Sequence, residues 1–205
     1  QVPTITPAIE QVVLRALAKD PKDRFANVRE FAEALAAAVE QSKPRPVPRK
    51  TKEQWVSEGI AFYKAGKYKA AIEAYDNAIR IDPDYAVAYN NRGNTYNDLK
   101  DYEKGKEDCS RAIELNPEMA LAYHNRGRAY YYLDEDKKAI EDYSRAIKLD
   151  SMLVIAYGGR GAAYYVLKDY QRAIQDFDYA LKLDPSLTWF KSQREDAYRK
   201  LGRKL

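Results

Sequence analysis

Residues 88–117 read AYNNRGNTYNDLKDYEKGKEDCSRAIELNP, and this stretch predicts the fold of the chain. Its aromatic and small residues, among them Tyr89, Gly93 and Ala112, recur 34 residues further on and 34 residues before. Glycine and alanine at fixed positions let two helices approach closely, and a constant period of this length is typical of stacked helix pairs. We therefore expect an array of antiparallel helix hairpins rather than one central core.

Four copies of the pattern begin at Lys52, Ala86, Ala120 and Val154. We number the positions of each copy from 1 to 34. The copies share an aromatic residue at position 4, glycine at position 8 and alanine at position 27: Trp55, Tyr89, Tyr123 and Tyr157; Gly59, Gly93, Gly127 and Gly161; Ala78, Ala112, Ala146 and Ala180. Residues 52–187 thus resemble four tetratricopeptide repeats. The resemblance implies an all-α fold: a right-handed α-solenoid of helix hairpins with a C-terminal capping helix, preceded here by an N-terminal helical pair.

The formal net charge of the 205 residues is +4, and its basic excess comes from residues 43–52, which hold five basic and no acidic residues. From Glu53 onward the chain has 25 basic and 25 acidic residues. A neutral array lacks the basic surface that nucleic acid requires, so we expect no nucleic-acid partner. No apolar run approaches the ~18 residues of a membrane span, which predicts no membrane insertion and favours a cytoplasmic location.

The single cysteine and the single histidine both have simple expected roles. Cys109 takes position 24, where the other copies have Tyr75, Tyr143 and Phe177, so we expect it in the core and in no internal disulfide. His124 has no second histidine, cysteine or carboxylate cluster beside it. We therefore predict no metal site, no cofactor and no catalytic residue.

The sequence RALAKDPKDRF at residues 15–25 resembles the last two helices of the C-terminal lobe of bacterial eukaryotic-like Ser/Thr protein kinases. In that family the arginine matching Arg24 pairs with a buried glutamate. The chain lacks that glutamate's motif, the Gly-rich phosphate loop, the catalytic lysine and the catalytic aspartate loop, so we expect it not to be an enzyme as given. The alternative is an ordinary helical hairpin. Because the chain begins at Gln1 without a methionine, we expect it to be a fragment.

These patterns predict four parts. In residues 41–51 three prolines alternate with basic residues, which favours an extended spacer without a core. Detached from a larger lobe, the leading helices would expose apolar residues, so self-association is a further expectation. The parts are a helical remnant at 1–40, a Pro/basic linker at 41–51, four repeats at 52–187 and a capping helix at 188–205.

In the family that the repeats resemble, positions 2, 5, 6, 9, 12 and 13 of the first helices line a concave groove that binds a peptide or partner protein. Tyrosine and asparagine are frequent at these positions here. Tyrosine offers a large contact area with little entropy to lose, which suits a binding hot spot. The candidate groove residues are Tyr63, Asn90, Asn91, Asn94, Asn97, His124, Asn125, Arg128, Tyr131, Tyr132 and Tyr165.

Family members that bind chaperone C-termini use a clamp of lysine, asparagine and arginine residues for the terminal carboxylate. Val56, Leu121 and Asn125 occupy the matching basic positions, so the clamp is absent. Asn91 and Asn125 at position 6 better resemble an asparagine ladder that holds a peptide backbone, reduced here to two rungs.

Position 7 is arginine and position 23 is aspartate in copies 2–4, whereas copy 1 has Glu58 and Ala74. Residues that appear and disappear together are expected to meet between helices, partly buried. The predicted pairs are Arg92–Asp108, Arg126–Asp142 and Arg160–Asp176. A shifted register also fits, with pairs Asp108–Arg126, Asp142–Arg160 and Asp176–Arg194. Solvation of both residues is the third alternative.

We interpret the chain as a protein–protein interaction module with a peptide or protein ligand, and expect it to be the regulatory or recruiting region of a bacterial Ser/Thr kinase. A second interpretation assigns the important activity to the parent kinase, with repeats that only stabilise or oligomerise it. A third is a stand-alone scaffold without a kinase.

Overall fold

The computed structural model of the chain describes residues 7–42 and 50–202. It divides into two compact units, Gln1–Arg49 and Lys50–Leu205. Residues 43–49, most of the predicted linker, lie outside the described residues. The domain boundaries therefore remain a prediction.

The first unit is a pair of packed helices, α1 (Pro7–Ala16) and α2 (Val28–Ser42), with one turn of 3₁₀ helix (Pro21–Asp23) between them. Asp20 begins that turn, because its side chain accepts a hydrogen bond from the Lys22 main-chain N–H at 2.9 Å. The second helix continues to Ser42, so it includes the first two residues of the predicted linker.

Arg24 binds main-chain carbonyl groups of its own unit. Its Nε donates to Ala18 O at 2.6 Å and its Nη2 donates to Lys19 O at 3.5 Å. Both carbonyl groups belong to the turn that follows α1, so the guanidinium stabilises that turn.

The second unit consists, over residues 50–202, of nine helices in which a 13-residue helix alternates with a 14-residue helix. None of the described helices has the length and hydropathy needed to span a bilayer. Consecutive helices pack as hairpins and successive hairpins stack, so the predicted α-solenoid with its capping helix is confirmed. The helices are α3 (Lys52–Lys64), α4 (Tyr68–Ile81), α5 (Ala86–Asp98), α6 (Tyr102–Leu115), α7 (Ala120–Tyr132), α8 (Asp136–Leu149), α9 (Val154–Val166), α10 (Tyr170–Leu183) and α11 (Thr188–Lys200).

Position 15, which follows the first helix of each hairpin and the capping helix α11, lies in the left-handed region of backbone space. The φ angle there is 71° at Gly66 and 67° at Gly202, but also 64°, 60° and 62° at Lys100, Asp134 and Lys168. Glycine adopts this conformation freely, whereas other residues do so at a free-energy cost. Stacking of the repeats therefore imposes the turn even where its sequence does not favour it.

The core of the array lies where the two helices of each hairpin cross. Alanines at position 27 are fully buried there, and the position-24 side chains fill the adjacent space. The predicted core location of Cys109 is confirmed, because it is free and fully buried. Burial raises the pKa of its thiol, so it stays protonated and unreactive.

The last helix, α11, covers the end of the array with aromatic side chains. The rings of Trp189 and Phe190 lie 6.4 and 6.1 Å from that of Phe177 in α10. These contacts bury the apolar face that a fifth hairpin would otherwise cover.

Three glycines in α9 let neighbouring helices approach it closely. At each of them an aromatic ring of another helix occupies the space that a Cβ atom would need. A Cβ atom at Gly159 would lie 2.6 Å from the nearest ring atom, and one at Gly161 would lie 2.8 Å away. The rings are Phe190 at Gly158, Tyr143 at Gly159 and Phe177 at Gly161.

Overlap of the new methyl group with the Phe190 ring should cost about 1–3 kcal/mol in Gly158→Ala, so the free energy of unfolding should fall by up to ~2 kcal/mol in total. This steric loss outweighs the ~1 kcal/mol that alanine gains over glycine inside a helix. Denaturant unfolding of the variant measures the effect. In a Phe190→Leu background the ring is gone, so Gly158→Ala should cost much less there, relative to Phe190→Leu alone, than it does in the wild type. An increase in stability on Gly158→Ala alone would contradict the packing argument.

The arginine–aspartate pairs form within repeats 2, 3 and 4. Arg126 Nε and Nη2 donate to the two carboxylate oxygens of Asp142 at 2.7 and 2.8 Å. The same fork joins Arg92 to Asp108, at 2.7 Å for both bonds, and Arg160 to Asp176, at 2.8 and 2.7 Å. The same-repeat register is confirmed, and the shifted register and the solvated alternative are wrong.

The third guanidinium nitrogen of each arginine, Nη1, binds the side chain at position 25 of the preceding repeat. The sequence analysis did not select position 25. Arg92 Nη1 binds the Asp76 carboxylate, and Arg194 Nη1 does the same with Asp178 at 2.8 Å. At the two central junctions the acceptor is a hydroxyl instead: Arg126 Nη1 donates to Ser110 Oγ at 3.3 Å and Arg160 Nη1 donates to Ser144 Oγ at 3.0 Å. Each arginine of repeats 2–4 therefore links two helices of its own repeat and one of the repeat before.

Candidate functional site

The first helices of the hairpins, α3, α5, α7 and α9, contact one another in series, and α11 contacts α9. All the candidate groove residues lie on these helices. We call the side chains at positions 2, 5, 6, 9, 12 and 13 of these five helices the first-helix face.

Three of the candidate asparagines are buried and bind one another between α5 and α7. Asn125 Nδ2 donates to Asn90 Oδ1 at 3.0 Å, and Asn97 Nδ2 donates to the main-chain oxygen of Asn125 at 2.8 Å. Asn97 occupies space that the Cβ of an alanine at Gly105 would take. These amide groups therefore hold two repeats together. Asn125 is buried, so one rung of the expected asparagine ladder is already used inside the protein.

Tyr63 and Arg128 meet at a carboxylate that the sequence analysis missed, Asp98 at position 13. The Tyr63 hydroxyl donates to Asp98 and accepts from Asn94 Nδ2 at 3.0 Å. Arg128 Nη2 donates to Asp98 Oδ1 at 2.9 Å and to the main-chain oxygen of Asn94 at 3.1 Å. Burial, and then the bond to Asp98, raises the pKa of Tyr63, so its hydroxyl remains a donor.

Tyr165 repeats this arrangement at the other end of the array. Its hydroxyl donates to the carboxylate of Asp196 in α11, and this bond, assisted by burial, raises the pKa of Tyr165 to about 12. Its ring packs against Tyr170 at 5.4 Å between centroids. Two of the position-12 tyrosines therefore direct their hydroxyl groups to the next first helix.

Four candidate residues from α7 line one cavity of about 150 Å³ between α7, α9 and α11. Its opposite side is formed by Ile155, the glycine pair of α9 and the two aromatic residues of α11. None of the side chains that line it is a carboxylate. The four candidates are His124, Arg128, Tyr131 and Tyr132.

His124 is the most buried of these four, with 8% of its surface exposed. Its ring lies 5.5 Å from that of Tyr143, and its Nδ1 has no hydrogen-bond partner. Burial, and then the charge of Arg128, lowers the pKa of His124 to about 4. The imidazole is therefore neutral at pH 7, with one N–H donor and one acceptor nitrogen.

Tyr131 and Tyr132 form the outer edge of the cavity. Their rings make an edge-to-face contact at 5.3 Å, and Tyr132 stacks on Tyr102 at 4.7 Å. Tyr132 is exposed, whereas Tyr131 is half-buried. Burial raises the pKa of Tyr131. Both rings are held by neighbours, so a ligand would meet a preformed surface.

Position 2 carries a row of apolar side chains that the sequence analysis passed over. The row repeats every 34 residues, and each member is exposed although a folded array could have used it for packing. The sequence could have predicted this row, because position 2 is one of the groove positions and is apolar in four successive first helices. The exposed fractions are 37% for Val87, 47% for Leu121, 45% for Ile155 and 54% for Trp189.

Metal coordination finds no support in the described part of the chain, where no group of three His, Cys, Asp or Glu side chains has a ligating arrangement. The first-helix face offers hydrogen bonding, stacking and apolar contact, together with the charges of side chains such as Arg128 and Asp98.

Comparison with protein families matches two models to the repeats. The model described as TPR repeat matches residues 59–100 and 127–168, and the model described as Tetratricopeptide repeat matches 86–119 and 154–187. Among curated proteins, the Small glutamine-rich tetratricopeptide repeat-containing protein of Dictyostelium discoideum is 34% identical over 93 residues. The match spans 44% of this chain but only 28% of that relative.

Two solved structures show the same fold in other proteins. The crystal structure of MamA protein superposes with a TM-score of 0.64 at 24% identity, covering 74% of this chain and 82% of that one. The first TPR of Spaghetti (RPAP3), bound to the HSP90 peptide SRMEEVD, superposes with a TM-score of 0.55 at 29% identity. That match covers 57% of this chain and 92% of the other.

Proposed function

The repeated part of the chain belongs to the tetratricopeptide repeat family, and from that premise we propose that its first-helix face binds a segment of a partner protein. The observation that carries the proposal is the exposed apolar row at position 2, which ends at a cavity lined by four of the candidate residues. Apolar side chains that stay exposed in register over successive repeats are a feature of interaction surfaces.

Peptide binding is supported by the RPAP3 domain, which is similar to this array and holds an HSP90 peptide. The ligand of this chain differs in chemistry, because Val56, Leu121 and Asn125 replace the basic residues of the carboxylate clamp. An apolar or aromatic segment fits the first-helix face better than an acidic C-terminus does.

Tyr131→Ala should weaken binding of a peptide selected on the full chain from a random library by about 30-fold, which corresponds to a hot-spot loss of about 2 kcal/mol. The truncation removes a ring that is held in place before binding. Isothermal titration calorimetry measures the dissociation constant.

The matched control for this prediction is Tyr179→Ala. Tyr179 is a tyrosine of α10 whose ring packs on Tyr157 at 4.4 Å, away from the first-helix face. It should leave the dissociation constant unchanged. Selected peptides whose affinity is insensitive to Tyr131→Ala would contradict the proposed surface.

A kinase origin of the first unit is the second candidate, and one observation favours it. Leu14, Leu17 and Val28 are 61%, 72% and 83% exposed, as expected for helices cut from a larger lobe. On this proposal the division at 1–40, 41–51, 52–187 and 188–205 separates a kinase remnant and its linker from a recruiting array. The coding sequence that precedes Gln1 tests it: a Gly-rich loop and a catalytic aspartate loop there would support it.

If that preceding sequence lacks both motifs, the stand-alone scaffold remains. If it contains them and the repeats bind no peptide, a role in stability or oligomerisation remains, which sedimentation of the full chain would measure. We propose a cytoplasmic setting for the interaction.

A further inference from the structure

The cavity between α7, α9 and α11 has the size of one side chain. Its volume is about 150 Å³, and an apolar cavity of roughly this size takes up a single benzene-sized group. The row of exposed apolar side chains at position 2 reaches the cavity at Ile155 and Trp189, which are two of its lining residues. A partner segment that follows this row brings a side chain to the opening. The inference below rests on the proposed function, since it concerns the same first-helix face.

Aromatic rings from three helices line the cavity. The rings of Tyr131 and Tyr132 in α7 meet edge to face at 5.3 Å, and those of Trp189 and Phe190 in α11 do the same at 5.2 Å. Tyr143 of α8 adds a fifth ring. Aromatic pairs prefer offset-stacked and edge-to-face contacts, so a ring that enters here has several such partners.

The helix between these rings leaves room for the entering group. Apart from Ile155, α9 lines the cavity with Gly158, Gly159 and Ala162. None of these three residues has a side chain larger than a methyl group. The space for a ligand therefore lies over α9, between the rings of α7 and α11.

The charges at the cavity disfavour an ionised side chain. Arg128 is the one charged residue of the lining at pH 7, because burial lowers the pKa of His124 to about 4. Its guanidinium already binds the Asp98 carboxylate at 2.9 Å. An entering carboxylate would compete with Asp98, and an entering ammonium group would find no carboxylate in the lining. Either charge would lose its water without a counter-charge of its own.

We infer that the cavity is a subsite for a phenylalanine side chain of the partner segment. Leucine fits the same volume but lacks the ring–ring contacts that strengthen aromatic pairs beyond their buried area. Tyrosine gains nothing from the two nitrogens of the wall that lack partners, because His124 Nδ1 and Arg128 Nε are closed to solvent.

The test uses blocked amino acids, whose main-chain groups stay in water while the side chain enters. His124 lines the cavity and is the only histidine of the chain, so its imidazole resonances report binding there. We expect N-acetyl-phenylalaninamide to shift them with a dissociation constant on the order of 1 mM. N-acetyl-leucinamide should bind about fivefold more weakly, N-acetyl-tyrosinamide no more tightly, and the glutamate and lysine analogues should cause no comparable shift.

Three variants check the location. Ala162→Phe fills the cavity from α9 and should abolish the shift while circular dichroism stays native. Trp189→Ala removes an exposed part of the lining and should raise the dissociation constant about fivefold. Val87→Ala is the matched control, because Val87 belongs to the same exposed row but lies in α5, outside the lining. It should leave the dissociation constant unchanged. The comparison of Trp189→Ala with Val87→Ala decides the inference if Ala162→Phe does not fold.

Four results would each overturn the phenylalanine subsite: no shift with N-acetyl-phenylalaninamide, equal or tighter binding of the leucine or a tighter binding of the tyrosine analogue, an unchanged shift in folded Ala162→Phe, or equal effects of Trp189→Ala and Val87→Ala. These results are separable from failure of the proposed function. Selected peptides that bind the full chain and lose affinity on Tyr131→Ala would still support the first-helix face.

Discussion

Replacing Arg126 with alanine is expected to lower the free energy of unfolding by about 3–5 kcal/mol, because it leaves the Asp142 carboxylate buried without its partner. The Asp142 side chain is 8% exposed and accepts both bonds of the guanidinium fork. Asp142 has side-chain exposure similar to that of Asp176 in the next repeat, so the effect should be alike at Arg160. Urea unfolding followed by circular dichroism measures the loss.

The matched control is Arg111→Ala. Arg111 pairs with Asp84 at 3.1 Å, but the two side chains are 43% and 75% exposed, so less than ~1 kcal/mol is expected. The double variant Arg126→Met/Asp142→Leu should lose much less than Arg126→Ala, since no buried charge remains unpaired. Equal losses for Arg126→Ala and Arg111→Ala would contradict a buried pair.

Acidification from pH 7 to pH 4 should remove about 3 kcal/mol of stability through His124 alone. The imidazole protonates near pH 6.5 in the unfolded chain but only near 4 in the folded protein. Between these values the unfolded state binds more protons, so stability is full above pH 6.5 and falls as the pH drops toward 4. Burial causes the shift, with Arg128 adding to it and Tyr143 packed on the ring.

Because carboxylates also titrate in this range, the measurement is the difference between the wild type and His124→Phe. The wild type should lose about 3 kcal/mol more than the variant between pH 7 and pH 4. The imidazole resonances of the single histidine give its folded-state pKa directly. A value near 6.5, or parallel pH profiles, would show that the ring is hydrated.

The period of 34 residues was sufficient to predict the array, because each repeat is specified by its own small and aromatic positions. The arginine–aspartate pairs were also predictable, since Glu58 and Ala74 in the first repeat show both partners changing together. Their register was not predictable. It depends on the direction in which the guanidinium points between helices, and position numbers carry no such information.

The first-helix face was predicted less well, for two physical reasons. Position numbers place Asn97 in the groove, but Gly105 leaves room for it to turn inward and bind Asn125. The cavity depends on Phe190 reaching Gly158 from another helix, a contact between residues 32 apart in the chain. The sequence analysis selected polar and tyrosine side chains such as His124 and Tyr131 as groove candidates. It did not select the apolar side chains at position 2.

The acceptors at position 25 differ between the end junctions and the central junctions of the array. In a linear chain of repeats, stability is set by each unit and by the coupling between neighbours. A charged acceptor binds the arginine at the first junction, Asp76, and at the last, Asp178, whereas Ser110 and Ser144 serve the two in the middle. Bonds between two charged groups are stronger than bonds to a hydroxyl. The arginine links are therefore stronger at the two end junctions, whereas the junction between repeats 2 and 3 relies in addition on the buried amide bonds of Asn90, Asn97 and Asn125.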